Sequence, residues 1–180
     1  MRALRLVHQP QERRLSPEVA LRRTRPADLA YVTALERRAD NRELVGQWSD
    51  AEHLAAIAGE ATREHWTIER GGRPAGYLIA FDARKSAGGI YLKRILVDAK
   101  GAGTGGAALA RFLDMAFARR GARFVWLNVR HVNLRAQGLY RRLGFVSFEP
   151  DALPGGELPG TGAFSMRIHA PAPEGKGRRA

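Results

Sequence analysis

The chain has 180 residues, of which 44% are hydrophobic and 27% are charged, a composition that predicts one folded domain and excludes wholesale disorder. It contains no cysteine and only five scattered histidines, which excludes disulfides, thiolate metal sites and cysteine nucleophiles and predicts no bound metal. The formal net charge is +12, but residues 1–25 carry +5 of it and residues 171–180 carry +2, so the rest of the chain is only mildly basic.

The two ends of the chain are expected to lie outside the folded domain. Residues 1–18 are expected to form a poorly ordered N-terminal extension. Residues 171–180 are expected to form a flexible basic tail punctuated by Pro and Gly. A single domain is expected over residues 19–170. No run approaches about 18 apolar residues, and the first ten residues lack the apolar core of a signal peptide, so we expect a cytoplasmic protein without a membrane partner.

The first half of the domain predicts both strands and helices. Ser49 and Glu52 have the spacing of a capping box, in which each side chain accepts a hydrogen bond from the other residue's backbone N–H. Hydrophobic period and turn residues indicate the other elements. In chain order these elements are a strand at 19–24, a helix from Pro26 to near Asn41, a helix from 49 to 59, a hairpin of strands 65–70 and 75–81, and a strand at 90–97.

The clearest helix begins at Gly103, where the hydrophobic period changes from two residues to about 3.6. Leu109, Phe112 and Leu113 share one face of it. The elements that follow are a strand at 124–129, a short helix at 136–143, and strands at 146–149 and 164–168. This order predicts an α/β fold with a mixed sheet, in which the segment from Ile90 to Val129 is a right-handed parallel crossover.

A glycine-rich turn joins the strand at 90–97 to this helix. Glycines lack the Cβ atoms that would keep an anion away from the free N–H groups of a helix's first turn, so the turn predicts a phosphate site. A Walker loop needs a Lys directly before Thr104, which is absent. The spacing of Gly101, Gly103 and Gly106 matches a dinucleotide-binding fingerprint, but no acidic residue ends the next strand. From these residues alone, a plain strand-to-helix turn remains an alternative.

Two motifs in the second half of the chain resemble those of one superfamily. Lys100-Gly101-Ala102-Gly103-Thr104-Gly105 resembles the Gln/Arg-x-x-Gly-x-Gly/Ala pyrophosphate loop of the GNAT superfamily of N-acetyltransferases. The segment from Asn133 to Phe145 resembles its second signature, Asn-x-x-Ala-x-x-Leu-Tyr-x-x-x-Gly-Phe. The resemblance covers about residues 19–150 and implies a mixed, mostly antiparallel sheet of six or seven strands, with a central splayed parallel pair and about four flanking helices.

The resemblance further implies acetyl-CoA as the co-substrate, held between strands 90–97 and 124–129. Its pantetheine arm would pair, as an added strand would, with the main chain of Ile95, Leu96 and Val97. Its pyrophosphate would accept hydrogen bonds from the N–H groups of Lys100, Gly101, Ala102, Gly103, Thr104, Gly105 and Gly106.

Catalytic residues are also implied by the resemblance. Asn133 and Tyr140 would flank the thioester, and the Tyr140 hydroxyl would be the general acid that protonates the departing thiolate. Many relatives place a Glu on the strand before the loop, but residues 90–94 contain no acidic residue. The candidates for the general base are therefore Glu69, Asp82, His131 or water.

The acceptor is expected to bind against the segment from Asp40 to His53, where Val45 and Trp48 are candidates either for a pocket wall or for core packing. This segment has no prominent acidic patch of the kind that a polyamine needs. The mild positive charge of the domain slightly favours an anionic acceptor or a protein acceptor near ribosomal RNA.

We therefore expect an N-acetyltransferase that passes the acetyl group directly to a primary amine of a small molecule or protein, without an acyl-enzyme. One alternative is a CoA-binding regulator without catalysis, which the missing strand Glu favours. A more distant alternative is an RNA- or ribosome-associated module that uses the basic ends. Nucleic acid is not expected as a partner, because those ends lack interleaved aromatic residues. A homodimer is compatible with the resemblance.

Overall fold

The computed structural model describes residues 18–81, 88–150 and 158–172. Nearly all of the expected N-terminal extension and basic tail lies outside these residues, as does Asp82. The elements of the described chain are β1 (Val19–Arg23), α1 (Leu29–Arg37), α2 (Asp50–Ala58), β2 (Glu64–Arg70), β3 (Arg73–Phe81), β4 (Gly89–Val97), α3 (Thr104–Asp114), β5 (Phe124–Arg130), α4 (Leu134–Arg142), β6 (Val146–Phe148) and β7 (Ala163–His169).

The helices begin and end for identifiable local reasons. α2 begins with the predicted capping box, in which the Ser49 hydroxyl accepts from the Glu52 N–H at 3.3 Å and the Glu52 carboxylate accepts from the Ser49 N–H at 2.7 Å. α1 ends earlier than the predicted position near Asn41, because Arg38 leaves the helical conformation with ψ 140°. A 3₁₀ turn over Pro26–Asp28 precedes α1.

The seven strands of the described chain form one mixed sheet in the order β1-β2-β3-β4-β5-β7-β6. Only β4 and β5 are parallel neighbours, and their pairing covers three residue pairs that end at Tyr91 opposite Trp126. A bulge on the β3 side of β4 makes Lys93 an extra residue between Leu92 and Arg94. The prediction of a mixed, mostly antiparallel sheet with a splayed parallel pair is confirmed, and the carboxyl half of β4 keeps a free edge toward β5.

Hydrophobic clusters cover both faces of the sheet. The larger cluster joins α3 and α4 to the sheet, with Leu109, Phe112 and Tyr140 among its buried members. The smaller cluster packs α1 against the opposite face through Val32 and Leu35. The space between the separating strands therefore opens between two packed layers. No helix in the described part of the chain is long and apolar enough to cross a membrane.

Candidate active site

A cleft of about 800 Å³ lies where β4 and β5 separate. Its lining comes from the carboxyl halves of both strands, the loop after α1, the first turn of α3, the inner face of α4 and the segment before β7. Within it, Ile95, Leu96 and Val97 pair with β3 along one edge of β4. Their other edge faces the cleft, so an extended amide chain can add to the sheet there.

The glycine-rich turn brings the N-terminus of α3 to the end of this cleft. Gly101 and Gly103 have φ values of +84° and +80°, a left-handed conformation that glycine adopts at little cost. A Cβ at Gly103, the N-cap of α3, would meet no atom within 4 Å. The backbone is therefore open at the positive end of an 11-residue helix, which fits a phosphate group.

Arg70, at the end of β2, holds this turn in place. Its guanidinium donates to the carbonyl oxygen of Ala102 and to the hydroxyl of Thr104, both at 3.0 Å. No local motif indicates this contact, because Arg70 lies about thirty positions before the turn. Thr104, expected as a phosphate contact, is itself buried at 3% exposure, and its side chain serves to anchor the turn.

Lys100 and Arg135 also place positive charge beside the turn, and of these two only Lys100 was expected. The Lys100 ammonium lies 2.8 Å from the Asp40 carboxylate and donates to the Asp40 carbonyl oxygen at 2.6 Å. This contact lowers the pKa of Asp40 and ties the turn to the loop after α1. Arg135 was not assigned to the phosphate site from the sequence, although this residue lies within the second motif. Its guanidinium reaches to 3.9 Å from the position of a Cβ at Gly101, so it offers a positive charge to an anion at this turn.

Tyr140 and Asn133 line the cleft from opposite ends of α4. Tyr140 is 7% exposed, its ring packs against Phe145 at 5.6 Å, and burial raises its pKa to about 12. Its hydroxyl is therefore protonated at neutral pH. The Asn133 side-chain oxygen accepts from the Ala136 N–H at 3.2 Å and so caps α4. Asn133 thus has a structural role that sequence reasoning did not assign.

Two of the candidate general bases, Glu69 and His131, do not line the cleft. Glu69 is held in an ion pair with Arg22 at 2.6 Å on β2, and His131 is exposed and stacks on Phe164. Neither is among the described residues that line the cleft, and Asp82 lies outside the described residues. Among the described residues, no group of three His, Asp or Glu side chains is arranged to hold a metal ion.

The two acceptor-site candidates take different positions. Val45 lines the cleft. Trp48 does not; its ring instead covers the guanidinium of Arg94 at 5.1 Å and stacks on Phe81 at 6.3 Å. Its indole is therefore part of the packing beneath the cleft rather than a wall of it.

A buried ionic cluster underlies the cleft, and the sequence did not predict it. Arg94 of β4 lines the cleft but is only 4% exposed, and its guanidinium pairs with the carboxylate of Glu36 on α1. The same carboxylate accepts a hydrogen bond from the backbone N–H of Trp48 at 3.1 Å and contacts the His53 ring of α2 at 2.6 Å. These residues are separated by up to 58 positions in the sequence, so no local motif indicates the cluster.

Comparison with known proteins places this geometry in a family. A model of the acetyltransferase (GNAT) family matches residues 29–145, and no curated protein matches the sequence. Among solved structures, a spermidine N-acetyltransferase from Vibrio cholerae in complex with CoA and spermine is similar at a TM-score of 0.68 and 19% identity, over 84% of this chain and 95% of that chain.

Two further structures share the fold. An aminoglycoside acetyltransferase, AAC(6')-Ib, in complex with coenzyme A is similar at a TM-score of 0.68 and 19% identity, over 84% of this chain and 95% of that chain. Ard1 from Thermoplasma volcanium is similar at a TM-score of 0.65 and 19% identity, over 86% of this chain and 99% of that chain. At these identities the likeness establishes the fold and leaves the acceptor open.

Proposed function

The chain belongs to the acetyltransferase (GNAT) family, and we propose that it transfers the acetyl group of acetyl-CoA directly to a primary amine bound in the cleft between β4 and β5. Membership of the family makes it an acetyl-CoA-dependent N-acetyltransferase. The observation that supports the site most directly is the open, left-handed turn at Gly101 and Gly103, which meets the free edge of β4 at one end of the cleft.

Acetyl-CoA is proposed to bind along this end of the cleft. Its pyrophosphate would accept hydrogen bonds from the backbone N–H groups of residues 100–106, where the first turn of α3 leaves donors unpaired within the helix. Lys100 and Arg135 add positive charge beside them. The pantetheine amides would pair with the free edge of Ile95–Val97, which directs the thioester into the cleft.

In the proposed reaction the neutral amine nitrogen attacks the thioester carbonyl carbon. A new C–N bond forms, the C–S bond breaks, sulfur leaves as a thiolate, and the nitrogen loses one proton. With both reactants held in one cleft, the reaction is effectively intramolecular. The described cleft lining offers only Asp40 as a carboxylate, and that group is paired with Lys100. Water is therefore the proposed acceptor of the amine proton.

Tyr140 is proposed as the group that faces the departing sulfur. Its pKa of about 12 exceeds the usual value of a thiol, about 8.5, so it keeps its proton until the thiolate develops. The hydroxyl would donate a hydrogen bond to the sulfur and stabilise the charge that appears there. If the hydroxyl passes its proton to the sulfur, it takes up another proton at the same time. The tyrosine therefore stays neutral.

A calorimetric titration with acetyl-CoA tests the proposal, with dephospho-CoA and ATP as comparison ligands. Micromolar binding of acetyl-CoA with much weaker binding of ATP would support it, and a thiol-release assay with a panel of amines would then measure transfer. Absence of acetyl-CoA binding would make the glycine-rich turn a structural feature only and would refute the proposed function.

A further inference from the structure

Exposed apolar side chains gather around the mouth of the cleft. In the described part of the chain, Val132 (75% exposed), Leu134 (73%) and Leu158 (68%) are the most exposed of the large apolar residues, and all three line the cleft. Single exposed apolar residues are common on protein surfaces, but a group of them beside a cleft marks a binding surface. An apolar group of a ligand is therefore expected to bind at the mouth of the cleft.

Hydrogen bonds join the segments that carry these side chains. The Arg130 guanidinium at the end of β5 donates to the Glu43 carbonyl oxygen in the loop after α1. The His131 N–H donates to the Gly162 carbonyl oxygen, 2.9 Å away, in the segment before β7. The apolar wall of the mouth is thus built from three connected segments, whose cleft-lining apolar members are Leu44, Val45, Val132 and Leu158.

The charges of the cleft do not suit a polycation. Of the charged residues that line it in the described chain, five are basic and one is acidic. The acidic one, Asp40, is already paired with Lys100 at 2.8 Å and Arg38 at 3.1 Å. Among the described lining residues, a second ammonium group on the acceptor would therefore find no available carboxylate. The basic residues are Lys93, Arg94, Lys100, Arg130 and Arg135.

We propose that the acceptor is a primary amine whose remaining body is apolar and uncharged, and that this body lies against Val132 and Leu158. The inference rests on the proposed acetyl transfer and specifies its substrate class. Such an acceptor differs from spermine, which is bound in the Vibrio cholerae structure, because it carries no second positive charge.

Three amines of equal length provide the test: hexylamine, 1,6-diaminohexane and 6-aminohexanoate, with CoA release as the readout. We expect kcat/KM for hexylamine to exceed the values for both charged analogues by about tenfold or more, since the apolar wall must desolvate the added charge. Faster transfer to the diamine would overturn the proposal. Faster transfer to the carboxylate would overturn it as well and would assign recognition to the basic residues of the cleft.

Variants of the wall separate apolar recognition from other causes of selectivity. Val132→Asp and Leu158→Asp each place a charge on an exposed side chain, so the fold should persist. Each should lower kcat/KM for hexylamine by about tenfold and leave the acetyl-CoA Kd within about twofold. Leu54→Asp is the matched control, because Leu54 is exposed on α2 and does not line the cleft. Wall variants that behave like this control would overturn the proposal.

Acetyl-CoA binding, measured separately by calorimetry, distinguishes the two possible failures. If acetyl-CoA does not bind, the proposed function fails and the acceptor class fails with it. If acetyl-CoA binds normally and either analogue is acetylated faster than hexylamine, the acceptor class alone is wrong. If acetyl-CoA binds but no amine in the panel is acetylated, the proposed transfer reaction fails.

Discussion

The Nε2 atom of His53 lies 2.6 Å from a carboxylate oxygen of Glu36, and both side chains are buried beneath the cleft. A carboxylate only accepts hydrogen bonds, so His53 donates from Nε2. Its Nδ1 faces Nε2 of His65 at 3.2 Å, and Nδ1 of His65 faces the Thr24 hydroxyl at 2.9 Å. Thr24, His65 and His53 thus form a run of hydrogen bonds that ends at Glu36, whose carboxylate also pairs with the buried guanidinium of Arg94.

Replacing Glu36 by Gln should destabilise the fold strongly. The substitution removes the negative charge paired with Arg94, which is 4% exposed and cannot recover its hydration. Breaking a buried ion pair in this way costs about 3–5 kcal/mol. Urea unfolding would measure the loss. Asp50→Asn is the matched control, since Asp50 pairs with Arg37 at 3.6 Å on an exposed surface and should change stability by less than about 1 kcal/mol.

A double substitution tests whether the unpaired charge causes this loss. Combining Glu36→Met with Arg94→Met removes both charges and keeps similar volume, so much of the stability lost in Glu36→Gln should return. If the double variant is no more stable than Glu36→Gln, the hydrogen bonds to Trp48 and His53 matter more than the charge balance.

Acid should destabilise the protein through His65. Burial lowers the pKa of His65 to about 3, against about 6.5 in an unfolded chain. Below about pH 6.5 the unfolded chain binds a proton that the folded chain excludes, so the free energy of unfolding falls as the pH falls. The slope from this residue is at most about 1.4 kcal/mol per pH unit. Above about pH 6.5 the free energy of unfolding no longer changes with pH through His65, and its full contribution to stability is present.

His65→Gln should remove most of that slope between about pH 6.5 and 4.5. His131→Gln is the control for loss of a histidine, because His131 is exposed. Denaturant midpoints at several pH values would give both slopes. This pH window ends above the range in which Asp28 begins to contribute to the pH dependence of stability. Arg22 lowers the pKa of Asp28 to about 2. A wild-type slope in His65→Gln would contradict the assignment.

Sequence reasoning succeeded where one segment determines its own structure. The change of hydrophobic period at Gly103 and the capping box at Ser49 predicted α3 and α2, because neighbouring residues carry the signal. The buried cluster of Glu36 and Arg94 was not predictable in this way, since tertiary packing alone brings α1 onto β4. The same holds for Lys100, whose partner Asp40 lies sixty positions away.

Gly103→Ala should abolish most acetyl-CoA affinity if the turn binds phosphate. The left-handed conformation there, with φ +80°, costs an alanine about 1 kcal/mol, and its methyl group would project into the open space beside the N-terminus of α3. Gly121→Ala is a matched control, with φ +64°, equally open surroundings and a position outside the cleft.

Both glycine variants should therefore lose similar stability, but only Gly103→Ala should weaken acetyl-CoA binding, by about tenfold or more in a calorimetric titration. Equal acetyl-CoA affinity in the two variants would show that the ligand does not approach this turn. Unequal stability losses would instead indicate that the turn at Gly103 makes folding contacts that the turn at Gly121 lacks.

Tyr140→Phe should lower kcat by about a hundredfold with little change in acetyl-CoA affinity, because it removes the proposed donor to the departing sulfur and keeps the ring against Phe145. Tyr77→Phe is the control, since Tyr77 is fully buried but does not line the cleft. With its pKa near 12, Tyr140 should cause no loss of rate below about pH 11. Unchanged kcat in Tyr140→Phe across several amines would exclude the hydroxyl from the chemical step and leave protonation of the thiolate to water.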